Sequence, residues 1–188
     1  MKSSFFTILA LTITLFGISV SAYANSTSER MQKAQQGDPV AQTDLGLMYV
    51  HGSQVKQSDT DAVKWFTLAA KQGYARGEMC LGMMYATGHG VKKDDAIAHK
   101  WFLAAAEQGM AMAQADAGQD YAEGWGTPKD TVQAYMWLSL AAARNATKVR
   151  TGLKALEHSM SPAQIAKAKR LAATWKPMLR VTPNADPQ

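Results

Sequence analysis

Cysteine is nearly absent from this chain: among 188 residues there is one, Cys80. A single thiol excludes an internal disulfide, so even an exported form must hold together by packing. Metal-ligand patterns are missing too. The four histidines, His51, His89, His99 and His158, never stand three or four residues apart, and neither an HExxH pattern nor a cysteine cluster occurs. No metal or cofactor is therefore expected. A G-x-S-x-G nucleophile turn is lacking as well. Positive charge is scarce over most of the length: residues 25–143 carry ten Lys+Arg against thirteen Asp+Glu. That stretch offers no basic surface for nucleic acid. Long apolar runs are confined to the start of the chain.

That start reads "MKSSFFTILALTITLFGISVSAYAN". Lys2 supplies a charged head, Phe5 to Val20 an apolar run, and Ala22-Tyr23-Ala24 a small-x-small cleavage pattern. This reads as a secretory signal peptide, residues 1–24, removed after Ala24. The alternative, an uncleaved anchor helix, has an apolar run somewhat short of the roughly 20 residues that span a bilayer. A soluble, periplasmic or secreted protein is expected, with no membrane span after cleavage. The basic balance lies at the other end, where residues 144–188 hold nine basic and two acidic side chains.

The stretch "YATGHGVKKDD", residues 85–95, raises the question of a phosphate loop. Such a loop needs a Lys-Ser or Lys-Thr pair after its last glycine, and Gly90 is followed by Val91-Lys92-Lys93. The stretch also recurs. Tyr49, Tyr85 and Tyr121 are 36 residues apart, as are Gly52, Gly88 and Gly124, and Trp65, Trp101 and Trp137. Leu45-Gly46 and Leu81-Gly82 keep the same step, with Ala117-Gly118 as the third copy. The glycines are turn residues of an internal repeat.

Each unit reads as two helices. Asp38-Pro39 joins a capping acceptor to a proline suited to the first turn, and Ala41, Leu45 and Met48-Tyr49 follow at helical spacing. The second helix runs from about Thr60 to Gln72, with Ala62, Trp65-Phe66 and Ala69-Ala70 on one face. Gly37, Gly73, Gly109 and, in the fourth place, Asn145 suit the left-handed turn that ends a helix. Gly46, Gly82 and Gly118 lie inside helices, where glycine costs about 1 kcal/mol. Close approach of a neighbouring helix, locked by the large Trp and Tyr side chains, is the expected compensation.

The pattern A-x-x-x-L-G-x-x-Y-x-x-G, then A-x-x-W-F-x-x-A-A-x-x-G, resembles the Sel-one-like repeat, a branch of the tetratricopeptide class. The resemblance implies an all-α, right-handed α-solenoid of three 36-residue helix-turn-helix repeats (37–72, 73–108, 109–144). A half repeat at 25–36 precedes them, and a basic helical cap at 145–176 and a disordered tail at 177–188 follow. In the cap, Ser161-Pro162-Ala163-Gln164 forms a capping box and Ile165, Ala168, Ala172 and Trp175 share a face. Lys167, Lys169 and Arg170 face away, either as a solvated end or as a docking patch for an anionic partner.

No enzyme is expected. Asp94-Asp95 has the look of an acid–base pair, but an acidic residue before each second helix suits capping and the helix dipole. The resemblance implies a non-catalytic adaptor in the envelope of a Gram-negative cell, with a protein or peptide on the concave face lined by the first helices. The competing expectation is a peptidoglycan-binding or wall-active protein using the basic cap. Positions that differ between copies are the candidate contacts: Asp44, Cys80 and Asp116; Leu47, Met83 and Gln119; His51, Thr87 and Glu123. Met79, Met83 and Met84 read equally as an adaptable patch or as core filling. An apolar anchor of the partner is expected toward the N-terminal repeats, where Leu47 and Met83 stand.

Overall fold

Capping side chains and left-handed glycines cut the chain into helices of nearly equal length. The computed structural model describes residues 27–144 and 147–178, with no strand among them. A short helix α1 (residues 27–35) precedes α2 (Pro39–His51), α3 (Asp59–Lys71), α4 (Ala75–Thr87), α5 (Asp95–Glu107), α6 (Ala111–Glu123), α7 (Thr131–Ala142), α8 (Thr147–Ser159) and α9 (Pro162–Thr174). Residues 1–26, with the expected signal peptide among them, residues 145 and 146, Asn145 included, and residues 179–188 lie outside the described residues.

The Asp38 carboxylate accepts from the amides of Val40 and Ala41 at 2.8 and 3.2 Å. Ser58, Asp94 and Asp130 do the same for α3, α5 and α7. Asp94 is thus a helix cap. The amide of each of these three caps also donates to Tyr49, Tyr85 or Tyr121 O at 2.9–3.0 Å, fastening the start of the second helix to the first. Gly37, Gly73 and Gly109 adopt φ of 100°, 75° and 88°. A side chain one repeat on satisfies their carbonyls: Gln72 Nε2 donates to Gly37 O and Gln108 Nε2 to Gly73 O, both at 2.9 Å, and the Arg144 guanidinium donates to Gly109 O.

Helix pairs stack through one recurring contact. A Cβ on Gly82 would lie 2.7 Å from Phe102 Cδ1, and one on Gly118 would lie 2.8 Å from Leu138 Cγ. Gly46 meets Phe66 in the same way. The close approach expected of these glycines is present, but Phe and Leu make it, and not Trp or Tyr. The Phe or Leu side chain stands where the glycine Cβ would be and excludes any side chain there.

The three tryptophans hold equivalent places in their helices with different cover. Trp65 and Trp101 are half-buried, whereas Trp137 is 5% exposed because Trp175 of the cap packs edge-on against it, with ring centroids 6.0 Å apart. The turn between the two helices of a repeat also depends on what lies beneath. Gly90 (φ +71°) and Gly126 (φ +66°) sit on the backbone of Asp59 and Asp95, at the head of the preceding second helix. Gln54 holds the corresponding left-handed turn (φ 65°) in the first repeat and meets Thr27 through its side chain.

The cap is a foreshortened fourth repeat. First helices begin at 39, 75, 111 and 147, so α8 keeps the 36-residue step. Helix α9 starts at Pro162, five residues before that step would place it, because two residues replace the longer turn. The Ser161–Gln164 capping box is formed. Ala168 is fully buried with Tyr135 and Met160, and both cap helices pack on α7. Lys154 takes the place held by Gly118, and no aromatic ring from α9 crosses it. Pro177 lies against Gly109, and the Met178 amide donates to Glu107 O at 2.7 Å.

Candidate functional site

The variable positions of the first helices come together in two groups. Asp44, Leu47 and His51 of α2 line a shallow cavity of about 290 Å³ with Arg30, Met48 and Ser53. Asp44 pairs with Arg76 of α4 at 3.4 Å, linking the first two first helices. At the other end, Gln119 and Glu123 of α6 line a cleft of about 560 Å³ against α8. Between the two groups Met83 is 47% exposed, and Thr87 is exposed with its hydroxyl donating to Met83 O at 2.8 Å.

Two members of the rows do not present themselves. Cys80 is 7% exposed within the core, and burial pushes its thiol up to about 11, so it is neither a contact nor a reactive group at neutral pH. Asp116 is half-buried, and desolvation, with Asp120 nearby, raises its carboxyl to about 6. Of the three methionines, Met79 and Met84 fill the core and only Met83 faces outward. Helical position explains the split: Met79 and Met84 point into the stack on either side of the outward stripe.

The 560 Å³ cleft lies between α6 and α8, with Leu138 of α7 in its lining. Its described lining is Leu138, Val149 and Leu156, the small residues Ala115, Ala122, Gly152 and Ala155, and the polar Gln119, Glu123 and Ser159. Gly152, Ala155 and Ser159 are one 36-residue step beyond Asp116, Gln119 and Glu123. The candidate rows therefore continue into α8, with small residues where the other copies have larger ones. That continuation was legible in the spacing once α8 was counted as a fourth first helix.

A buried polar pair was missed at the sequence level. His99 Nδ1 lies 3.0 Å from Asp120 Oδ2, the two residues being 6% and 7% exposed. The His99 ring also meets Tyr121 edge-on at 4.8 Å. Burial raises the Asp120 carboxyl, and the bond to His99 opposes that shift. The corresponding positions are Val63 with Met84, and Tyr135 with Leu156. Two departures on facing positions of one junction were the available signal. The buried pair joins the second and third repeats, and Asp120 also lines a small cavity of about 180 Å³ with Lys93, Asp95 and Trp125.

Lys167, Lys169 and Arg170 are exposed, and Lys169 Nζ stands 6.0 Å above the Tyr135 ring. The hydroxyl of Tyr135 donates to Glu157 at 2.5 Å, which ties up the one acidic side chain among the described cap residues. No group of three or more metal-ligating side chains occurs among the described residues, and no described helix is long and apolar enough to cross a membrane.

The model of the Sel1 repeat matches residues 39–74, 78–110 and 111–145. The crystal structure of a Sel1 repeat protein from Oxalobacter formigenes is similar at 36% identity and a TM-score of 0.63, covering 68% of this chain and 96% of that one. A second structure, c5321, a protective antigen present in uropathogenic Escherichia coli strains and displaying an SLR fold, is similar at 32% identity and a TM-score of 0.71. That match covers 79% of this chain, which spans about a third (32%) of c5321. No protein of curated function matches the sequence.

Proposed function

Because the chain belongs to the Sel1 repeat family, we propose that it is an exported, non-catalytic adaptor that holds a protein or peptide segment along the concave face of its first helices. Sel1 repeats generally mediate protein–protein interaction, and scaffolds of this kind are generally non-catalytic. One observation carries the reading: Met83, a large apolar side chain, stands 47% exposed between two cavities lined by its row neighbours Leu47 and Gln119. Side chains that the stack does not need, gathered on one face, are what a repeat scaffold offers a partner. The leader sequence supports a periplasmic or secreted place, and with it an envelope complex.

The test is capture from a bacterial envelope extract on the immobilised mature chain, beside a Met83→Glu column and a purified cell-wall bait. The adaptor reading expects a protein held by the native chain and lost from Met83→Glu, with both forms melting alike. Retention on wall material with release of soluble fragments would instead make this a wall-active protein, acting through Lys167, Lys169 and Arg170. An unprocessed leader on the native protein, seen by mass spectrometry, would remove the export part.

A further inference from the structure

Five glycines lie inside the described helices, and four have a packing reason. A Cβ on Gly46, Gly77, Gly82 or Gly118 would strike Phe66, Ala69, Phe102 or Leu138. The fifth, Gly152, has nothing within 4 Å of where its Cβ would stand. It sits at the middle of α8, where glycine is among the poorest helix residues. What Gly152 does is line the cleft between α6 and α8, opposite Ala115 and Ala122 and beside Ala155. A larger side chain would fill that space without disturbing the fold. At about 560 Å³ the cleft falls in the range of roughly 300–1,000 Å³ typical of sites that enclose a ligand. Leu138, Val149 and Leu156 give it an apolar lining, and among the described lining residues Glu123 is the one charged side chain.

Resting on the adaptor reading above, we propose that the α6–α8 cleft is the anchor site for the partner segment. It takes a bulky aliphatic or aromatic side chain whose neighbour is lysine or arginine. The apolar side chain lies on Leu138, Val149 and Leu156 in the space left open by Gly152, and the cation meets Glu123, with Gln119 and Ser159 available to the segment's backbone. The rest of the segment runs back over Met83. This places the anchor at the C-terminal end of the face, opposite to the expectation drawn from Leu47 and Met83.

A phage-displayed library of random 12-residue peptides, selected on the purified chain, supplies the probe. The expected consensus is Leu, Ile, Phe or Trp next to Lys or Arg. Gly152→Leu should weaken those peptides at least tenfold in fluorescence anisotropy while keeping or raising the melting temperature. Glu123→Lys should move the selected neighbour from basic to acidic, a change that a merely structural role for Glu123 does not produce. A library that yields no consensus sinks the proposal, as do peptides that bind Gly152→Leu as well as the native chain. Sedimentation showing a native dimer abolished by Gly152→Leu also overturns it, since the occupant is then a second copy. Peptides lost with Met83→Glu but indifferent to Gly152→Leu remove the anchor site and leave the adaptor reading standing.

Discussion

Gly82 and Gly152 occupy the middle of first helices two repeats apart, and they do opposite things. Gly82 is covered by the Phe102 ring, whereas Gly152 faces open space. The two glycines hold different register positions: Gly152 stands 36 residues beyond Asp116, whereas the counterpart of Gly118 in α8 is Lys154. In the regular repeats a second-helix side chain, Phe66, Phe102 or Leu138, lies where the glycine Cβ would stand. In the cap a two-residue turn starts α9 early, and Gly152 lines the cleft toward α6. The same residue type thus stands both at close-packed junctions and beside an open cleft. A glycine in a repeat protein reports on packing only after its neighbour is known.

The largest effect on this comparison should come from removing the ring. Phe102→Ala is expected to cost about 3–5 kcal/mol, and a urea unfolding curve would show the loss. If the array tolerates it, the tight junction is not what holds the second repeat. Next comes the turn. Gly126→Ala puts a Cβ into the Asp95 carbonyl at a left-handed φ, and a loss of about 2–3 kcal/mol is expected. Gln54→Gly, at the matching turn, relieves a left-handed φ but gives up the side-chain contact to Thr27, so a gain of at most about 1 kcal/mol is expected. The two melts measured together separate the effect of φ from that of the underlying backbone.

A smaller effect is expected from Asp116. Its folded pKa of about 6 exceeds its ordinary value, so the folded state keeps a proton that the unfolded state releases between about pH 4 and 6. The contribution of the neutral acid is present at low pH and is lost as pH rises through that window. Asp116→Asn should therefore raise stability by about 1–2 kcal/mol at pH 7.5 and change little near pH 4. Equal gains at both pH values would show that burial of the charge is not the cause. The smallest effect belongs to the glycine beside the open cleft. Gly152→Ala should gain up to about 1 kcal/mol, whereas Gly82→Ala loses stability against the Phe102 ring. A loss at Gly152 would mean that α8 is packed there after all.

Most of the fold was legible because the signals that set it are local and repeated. Asp38-Pro39, the cap before each second helix, and glycine at 37, 73 and 109 act within a few residues of themselves, so the 36-residue spacing of the tryptophans placed helix after helix. The candidate rows were partly legible. Their spacing put Met83 and Gln119 on the outer face, but helical spacing alone did not separate Cys80, which is enclosed, from its row neighbours. The His99–Asp120 pair was invisible to local reading, because its members are 21 residues apart and meet across a junction.

The sequence by itself determined the helix count of the regular repeats, their boundaries and their stacking order. Capping, φ preference and periodic burial are properties of neighbouring residues. The tertiary structure decided which side chain covers each glycine, which tryptophan the cap encloses, and where the first-helix face opens. Those outcomes depend on how far each second helix travels before it turns back. At the cap the turn is two residues long, and the open cleft lies between α6 and α8, bordered by Gly152 and Glu123.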